Sequence, residues 1–226
     1  MSVTDAGPAP AIVDEEEAAR ARRDQINRIA KWTLPSLVMI LSILAWHFYV
    51  TINEIPHYVL PGPLLVGQSI IEDWALLWPA MLITSRLTIL ALIFAIIGGV
   101  LLAVAFTQSK WAEMSFFPYA VILQVTPVIA IAPLLQIYVE SAFVAALLCA
   151  WIVAFFPILS NTTIGLKSAD HNLQDLFTIY GATRWQRLRY LAAPSALPFF
   201  LGGLKIAGGL ALIGAVVAEF VIGRAG

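Results

Sequence analysis

Charge is scarce in this chain of 226 residues. Asp, Glu, Lys and Arg make up 12% of it and hydrophobic residues 60%, where a soluble domain carries about a quarter charged residues. Net charge is −1, so there is no overall positive field to draw nucleic acid. The single cysteine, Cys149, lies inside an apolar run. One thiol excludes an internal disulfide and a thiolate zinc site, and Cys149 reads as a small packing residue. His47, His57 and His171 fall in separate segments without metal-ligand spacing, so no metal is expected. No Gly-x-x-x-x-Gly-Lys-Ser/Thr phosphate loop is present: Gly165-Leu-Lys-Ser168 lacks the preceding glycine. No Gly-x-Ser-x-Gly turn is present either, and Ser85 and Ser195 have no base nearby in sequence. The expected absence is that of an enzyme: if ATP is consumed, another chain hydrolyses it. Residues 1–31 are not expected to be a secretory signal, because they are polar and the apolar run behind them is too long.

What is present is a set of long uncharged runs. A hydrocarbon core about 30 Å thick needs roughly 20 apolar residues in a helix. Trp32–Asn53, Leu87–Phe106, Ser115–Val139 and Ala142–Leu159 carry no charge. Ala196–Ile222 carries only Lys205 and Glu219. The expectation is an all-α integral membrane protein with about five transmembrane helices. Residues 1–31 form a polar tail, 32–53 the first span, 54–82 an outer loop with an interfacial helix, and 83–226 the core. In the tail, Gly7, Pro8 and Pro10 suggest a loose start. The run Asp14 to Glu17 followed by Arg20, Arg22, Arg23, Arg28 and Lys31 supports a short surface helix through charges three and four apart.

Orientation follows from the basic residues. With the N-terminus inside, the inner segments hold Arg20, Arg22, Arg23, Arg28, Lys31, Lys110, Lys167, Arg184, Arg187 and Arg189. The outer segment 54–82 and the Glu140–Ser141 turn hold none. Arg86 and Lys205 lie within spans, and Arg224 alone falls outside. The tail and the stretch Gly165–Pro198 are therefore expected in the cytoplasm.

In 54–82, Pro56, Pro61, Gly62 and Pro63 break the chain. Leu64, Leu65, Ile70, Ile71, Trp74 and Leu77 then suggest a helix on the outer rim, with Trp74 and Trp78 suited to the membrane–water interface. The third run contains Pro127 and Pro133 together with Gln124, Thr126 and Gln136. Proline removes a backbone donor, and in lipid the freed carbonyls need a partner in protein or a wet cavity. A kinked helix lining a passage and a packing kink both fit. The glycine pairs Gly98–Gly99, Gly202–Gly203 and Gly208–Gly209 suit close helix packing, and Gly202–Gly209 suits a subunit face equally. Arg86, Lys205 and Glu219 read as interfacial or paired charges.

Gly165–Pro198 is the longest polar interruption between these runs. Leu173, Leu176, Phe177 and Tyr180 fall at i, i+3, i+4 and i+7, one helical face. Ser168 or Asp170 can cap the start, and Gly181 follows the end. Thr183 can cap a second helix with Trp185, Leu188 and Ala192 in line, stopped by Pro194. A loop that only joined two spans would not need two amphipathic helices.

The stretch resembles the cytoplasmic motif of binding-protein-dependent permeases of ATP-binding-cassette importers: Glu-Ala-Ala, three residues, Gly, nine residues, Ile-x-Leu-Pro. Asp175 takes the acidic position, Leu176 and Phe177 the two small positions, Gly181 the glycine, Leu191 the isoleucine, and Ala193–Pro194 the Leu-Pro. Flanking matches are Phe155 to Ile158, Asn161–Thr162, Gly165–Leu166, Pro194 to Pro198, Gly203 to Lys205, Val217 to Phe220 and Leu60 to Pro63. Together they resemble the branch importing nitrate, sulfonates and taurine, or pyrimidine and riboflavin-type vitamin precursors, over roughly residues 35–226. Bulky Leu176 and Phe177 depart from the pattern.

The resemblance implies a multi-pass protein of the bacterial inner membrane. Two permease copies, expected as a homodimer in lipid, form the pathway, and cytoplasmic ATPase subunits bind the ATP, so this chain holds no cofactor. An extracytoplasmic binding protein delivers the solute. The implied ATPase-docking residues are Leu173, Asp175, Leu176, Phe177, Tyr180, Gly181, Thr183 and Arg184. Candidates to line the pathway are Gln124, Thr126, Pro127, Gln136, Asn161 and Glu219. Family members usually have one further helix after this point, so a fragment or a shortened relative is implied. The alternatives are an ATP-independent channel, which lacks a filter signature here, and a truncated scaffold subunit.

Overall fold

The structure is a computed structural model that describes residues 12–223. The tail start at Gly7, Pro8 and Pro10, and Arg224, lie outside the described residues. Every regular element among the described residues is helical: α1 (Ile12–Ile52), α2 (Pro63–Glu72), α3 (Trp74–Gln108), α4 (Lys110–Val125), α5 (Val128–Tyr138), α6 (Ala142–Lys167), α7 (His171–Ile179), α8 (Arg184–Arg187), a π-helical turn over Leu188–Ala192, and α9 (Ala193–Ile222). Four helices are long and apolar enough to cross a membrane, or five if the bent pair α4–α5 counts as one span. This agrees with an all-α membrane protein. The chain divides into two compact units, residues 1–75 and 76–226.

In the first unit, the polar and apolar segments expected as separate pieces are one helix, α1, with Pro35 inside it. No turn former stands between the two, so the helix has no reason to stop at Lys31. Hydroxyls within its apolar part fold back on their own helix: Ser36 Oγ donates to the Trp32 carbonyl and Ser42 Oγ to the Val38 carbonyl. A polar group in lipid must bond internally, and back-bonding four residues away does so without a neighbour. After α1, Glu54 takes a positive φ of 49° and the chain turns toward Pro63, the first residue of α2. Proline suits that position, where the missing N–H would have no partner in the helix anyway.

The rim helix is shorter than the sequence suggests. α2 ends at Glu72, and α3 begins at Trp74. Trp74, Leu77 and Trp78 therefore belong to a long span rather than to an interfacial helix. Pro79 sits inside that span and does not end it.

In the second unit, α6 and α9 pack together most extensively, and α3, α4 and α5 close around them. The contact faces are lined by small residues. α3 buries Ala91, Ala95, Gly99 and Ala103, and α9 buries Gly203, Ala207, Ala211 and Ala215, both at four-residue steps on one helical face. Gly203 shows what this requires: a Cβ there would lie 2.8 Å from both the Pro157 carbonyl and Asn161 Cβ. Two of the three glycine pairs have one buried member, and Gly208–Gly209 has none. Gly99 and Gly203 are buried in contacts between helices, while a Cβ on Gly202, Gly208 or Gly209 would meet nothing within 4 Å.

The third run is broken more sharply than a kink. α4 and α5 meet at 103°. Pro127 cannot donate an N–H and holds Thr126 extended, at φ −76° and ψ 124°. Thr126 satisfies its own N–H and hydroxyl on the Ile122 carbonyl, and the Pro127 carbonyl starts α5. At 1.5 Å per residue, α4 and α5 are only about 24 and 17 Å long, too short to cross a bilayer singly.

The expected stop at Pro194 is also absent. Arg184 to Ile222 is one continuous span, and the π turn lies just ahead of the proline. There the Ala193 N–H reaches back five residues to Leu188. The wider turn takes up the break in bonding that proline would impose on a regular helix. The second of the two expected connector helices is thus the first turns of the last span. Of Gly165–Pro198, only Ser168 to Thr183 lies outside the two long helices, and α7 is its one independent element.

Candidate functional site

α7 is held by its backbone at both ends. Ser168 Oγ donates to the Gly165 carbonyl as α6 ends. Ala169 is buried, and Gln174 Nε2 donates to its carbonyl at 2.8 Å. Asp170 is the N-cap, its Oδ1 accepting the Asn172 N–H at 2.7 Å. At the other end Ala182 N–H reaches the Phe177 carbonyl and Gly181 N–H the Thr178 carbonyl. This pair is a Schellman closure, which needs a left-handed residue after the helix. Gly181 supplies it at φ +65°, where any Cβ would be strained. Two residues later Thr183 and Gln186 form a reciprocal capping box, with Thr183 N–H on Gln186 Oε1 at 2.8 Å. Arg187 Nε donates to the Ala182 carbonyl and ties the turn to the last span.

The side chains are disposed the opposite way. Leu173 and Leu176 are 46% and 45% exposed, and Ile179 and Tyr180 are each 81% exposed. Phe177 is half-buried, while Asp175, Gly181, Thr183 and Arg184 are exposed. Leu176, Phe177, Tyr180, Ala182, Gln186 and Tyr190 line a cleft of about 350 Å³ between α7 and the π turn. The eight residues singled out for docking therefore lie on α7, in the turn that follows it or, for Arg184, at the start of α8. Sequence reasoning missed Ile179, Gln186 and Tyr190. Ile179 is three residues past Leu176, a spacing that could have shown it. Gln186 and Tyr190 lie within the expected second helix but off its Trp185, Leu188 and Ala192 line.

The pathway candidates do not converge. Gln124, Thr126 and Pro127 lie at the α4–α5 elbow. Gln136 Nε2 donates to the Ile222 carbonyl at 3.3 Å. Glu219 Oε2 accepts the Thr84 hydroxyl at 2.7 Å, between α9 and α3. Asn161 folds back on the Pro157 carbonyl beside Gly203. Sixteen residues of α9 separate Gly203 from Glu219, about 24 Å of helix, so Asn161 and Glu219 are not one site. Arg86 lies over the Phe143 ring, 5.8 Å from its centre, and Lys205 is on an exposed face of α9. Among the described residues no cluster of His, Cys, Asp and Glu could hold a metal ion.

Comparison with known proteins is consistent with these features. The family described as binding-protein-dependent transport system inner membrane component matches residues 95–226. The riboflavin transport system permease protein of Chloroflexus aurantiacus is 35% identical over 195 residues, 85% of this chain and 72% of the relative. The formylaminopyrimidine transport permease protein of Halalkalibacterium halodurans is 32% identical, over 83% of this chain and 75% of its own length. The nitrate import permease protein of Synechocystis is 27% identical, over 58% and 48%.

Proposed function

Because this chain belongs to the family of binding-protein-dependent transport inner-membrane components, a permease subunit of an ATP-driven importer in the bacterial inner membrane, we propose that α7 is where a separate ATPase subunit docks. One observation carries the proposal: the backbone of α7 is capped at both ends while its apolar side chains are left in the open. Burying Leu173, Leu176, Ile179 and Tyr180 against a partner would contribute about 25 cal/mol per Å² of apolar area covered. Phe177, half-buried against its own chain, would pass a push on α7 into the bundle.

ATP then stays on the partner, and this chain does no hydrolysis. The work is conformational. ATP-driven closure of the ATPase pair displaces α7, and the bundle switches the side from which its pathway is open. Such a switch requires the ATPase to bind the two states of the bundle unequally, since equal binding shifts nothing. A second copy of this chain completes the pathway, and an extracytoplasmic binding protein supplies the solute. The basic residues flanking the spans support a cytoplasmic α7 and N-terminus.

For the solute, a heterocyclic vitamin precursor is favoured over a nitrate- or sulfonate-like anion. The relatives named for riboflavin and formylaminopyrimidine align over more of the chain and at higher identity than the one named for nitrate. The test is uptake of labelled riboflavin, formylaminopyrimidine and nitrate by cells expressing the chain with its neighbouring ATPase and binding protein. Uptake of a heterocycle that stops when ATP is depleted is expected. Uptake that persists without ATP would overturn the importer assignment for this chain, and uptake of nitrate alone would overturn the solute.

A further inference from the structure

Beside the docking face lies a second cleft, of about 520 Å³, where α3, α6, α7 and α8 meet. Its polar wall carries Lys167 from the end of α6, His171 and Gln174 from α7, Arg184 and Arg187 from α8, and Gln108 from the end of α3. Its apolar floor is formed by the buried Leu166, Leu188 and Leu191. The cationic groups are not balanced. Lys167 is ion-paired with Glu113 of α4. Among the described residues neither Arg184 nor Arg187 has a carboxylate partner, and Arg187 uses only Nε, on the Ala182 carbonyl. Asp170, the N-cap of α7, is engaged on the Asn172 N–H, and Asp175 of α7 is exposed and does not line the cleft.

We propose that this cleft is a binding site for a phosphate-bearing anion, held by Arg184 and Arg187 with Lys167 at the rim. Two guanidinium groups offer paired donors that match phosphate oxygens. The volume falls within the 300–1,000 Å³ of ordinary ligand pockets and leaves room for a headgroup around the phosphate. Location favours such a ligand. Gln108 and Lys167 end the apolar runs of α3 and α6, which places the cleft at the depth of lipid headgroups. An anionic phospholipid and a free phosphate share this chemistry. An occupant would brace α7 against the bundle by touching α7, α8 and the two long helices at once. The site lies on the His171–Gln174 side of α7, away from the Leu176–Tyr180 face, so both can be occupied together.

The test uses the full chain in nanodiscs without any ATPase, so it does not depend on α7 docking. One arm compares retention of phosphatidylglycerol from discs of phosphatidylcholine with and without it, read by native mass spectrometry. The other titrates inorganic phosphate onto pure phosphatidylcholine discs and reads hydrogen exchange across residues 166–192. Retained phosphatidylglycerol, or slowed exchange with phosphate, is expected, and which of the two occurs identifies the source. The double variant Arg184→Gln/Arg187→Gln is expected to weaken binding roughly tenfold, the loss of charged hydrogen bonds. Arg189→Gln removes a cation that lies over the Tyr190 ring, outside the cleft, and is expected to leave binding intact. Should the double variant unfold, the exposed single change Arg184→Gln reads the same loss. Equal binding by wild type and the arginine variants overturns the proposal. So does a cleft that takes neither probe and is protected only when the ATPase is added, which would mark it as a seat for an acidic protein segment.

Discussion

The α6–α9 contact and α7 manage exposed chemistry in opposite ways. Between α6 and α9 the side-chain faces are consumed within the chain, down to a glycine whose Cβ would strike a carbonyl. On α7 the backbone is closed at both ends by Asp170, Gly181 and the Thr183–Gln186 box, while the apolar side chains face outward. The first arrangement makes a rigid body whose faces are already used. The second makes a rigid handle whose face is still available. The proposed lever between an ATPase and a pathway needs both.

The contrast can be broken most severely at Gly203. Gly203→Leu places a side chain where a Cβ alone already meets Pro157 and Asn161 at 2.8 Å. The expected cost is about 3 kcal/mol or more, seen as loss of folded chain in detergent by size exclusion and thermal unfolding. Gly209→Leu, where a Cβ meets nothing within 4 Å, should leave the monomer's unfolding temperature unchanged. Next is Phe177→Asp, which should leave insertion and folding intact yet reduce ATP-dependent uptake at least about tenfold, the equivalent of about 1.4 kcal/mol of lost partner binding. Gly181→Ala should cost roughly 1–2 kcal/mol of local strain, read as faster hydrogen exchange across 171–183 with the α6–α9 amides unaffected. The smallest effect is expected from Asp170→Ala, about 1 kcal/mol for a lost N-cap, confined to the first turn of α7 in the same measurement.

How far the sequence announced this depends on where each signal resides. α7 was readable almost to the residue, because its cap, apolar face and terminal glycine are all local. The long spans were readable because their length and lack of charge are local too. The elbow at Thr126–Pro127 was readable as a bend but not as 103°, since proline shows that a helix is interrupted, while the angle depends on what the two halves pack against. Pro194 misled because proline inside a helix usually stops it, and the π turn that accommodates it leaves no mark in composition. The cleft at Arg184 and Arg187 is lined by residues within 166–192 and by Thr107 and Gln108 of α3; it depends on how α7 folds back on the two long helices, which periodicity along one helix does not show.

The single cysteine allows a direct test of the handle. Cys149 is fully buried, so Leu176→Cys introduces the one accessible thiol among the described residues. Its labelling rate with a water-soluble maleimide would be measured in membranes, with and without the ATPase subunit. The account predicts rapid labelling of the permease alone and strong protection once the ATPase binds, with no protection of a thiol placed at Gly209. Equal labelling of Leu176→Cys in both conditions, with the ATPase shown to be bound, would contradict it.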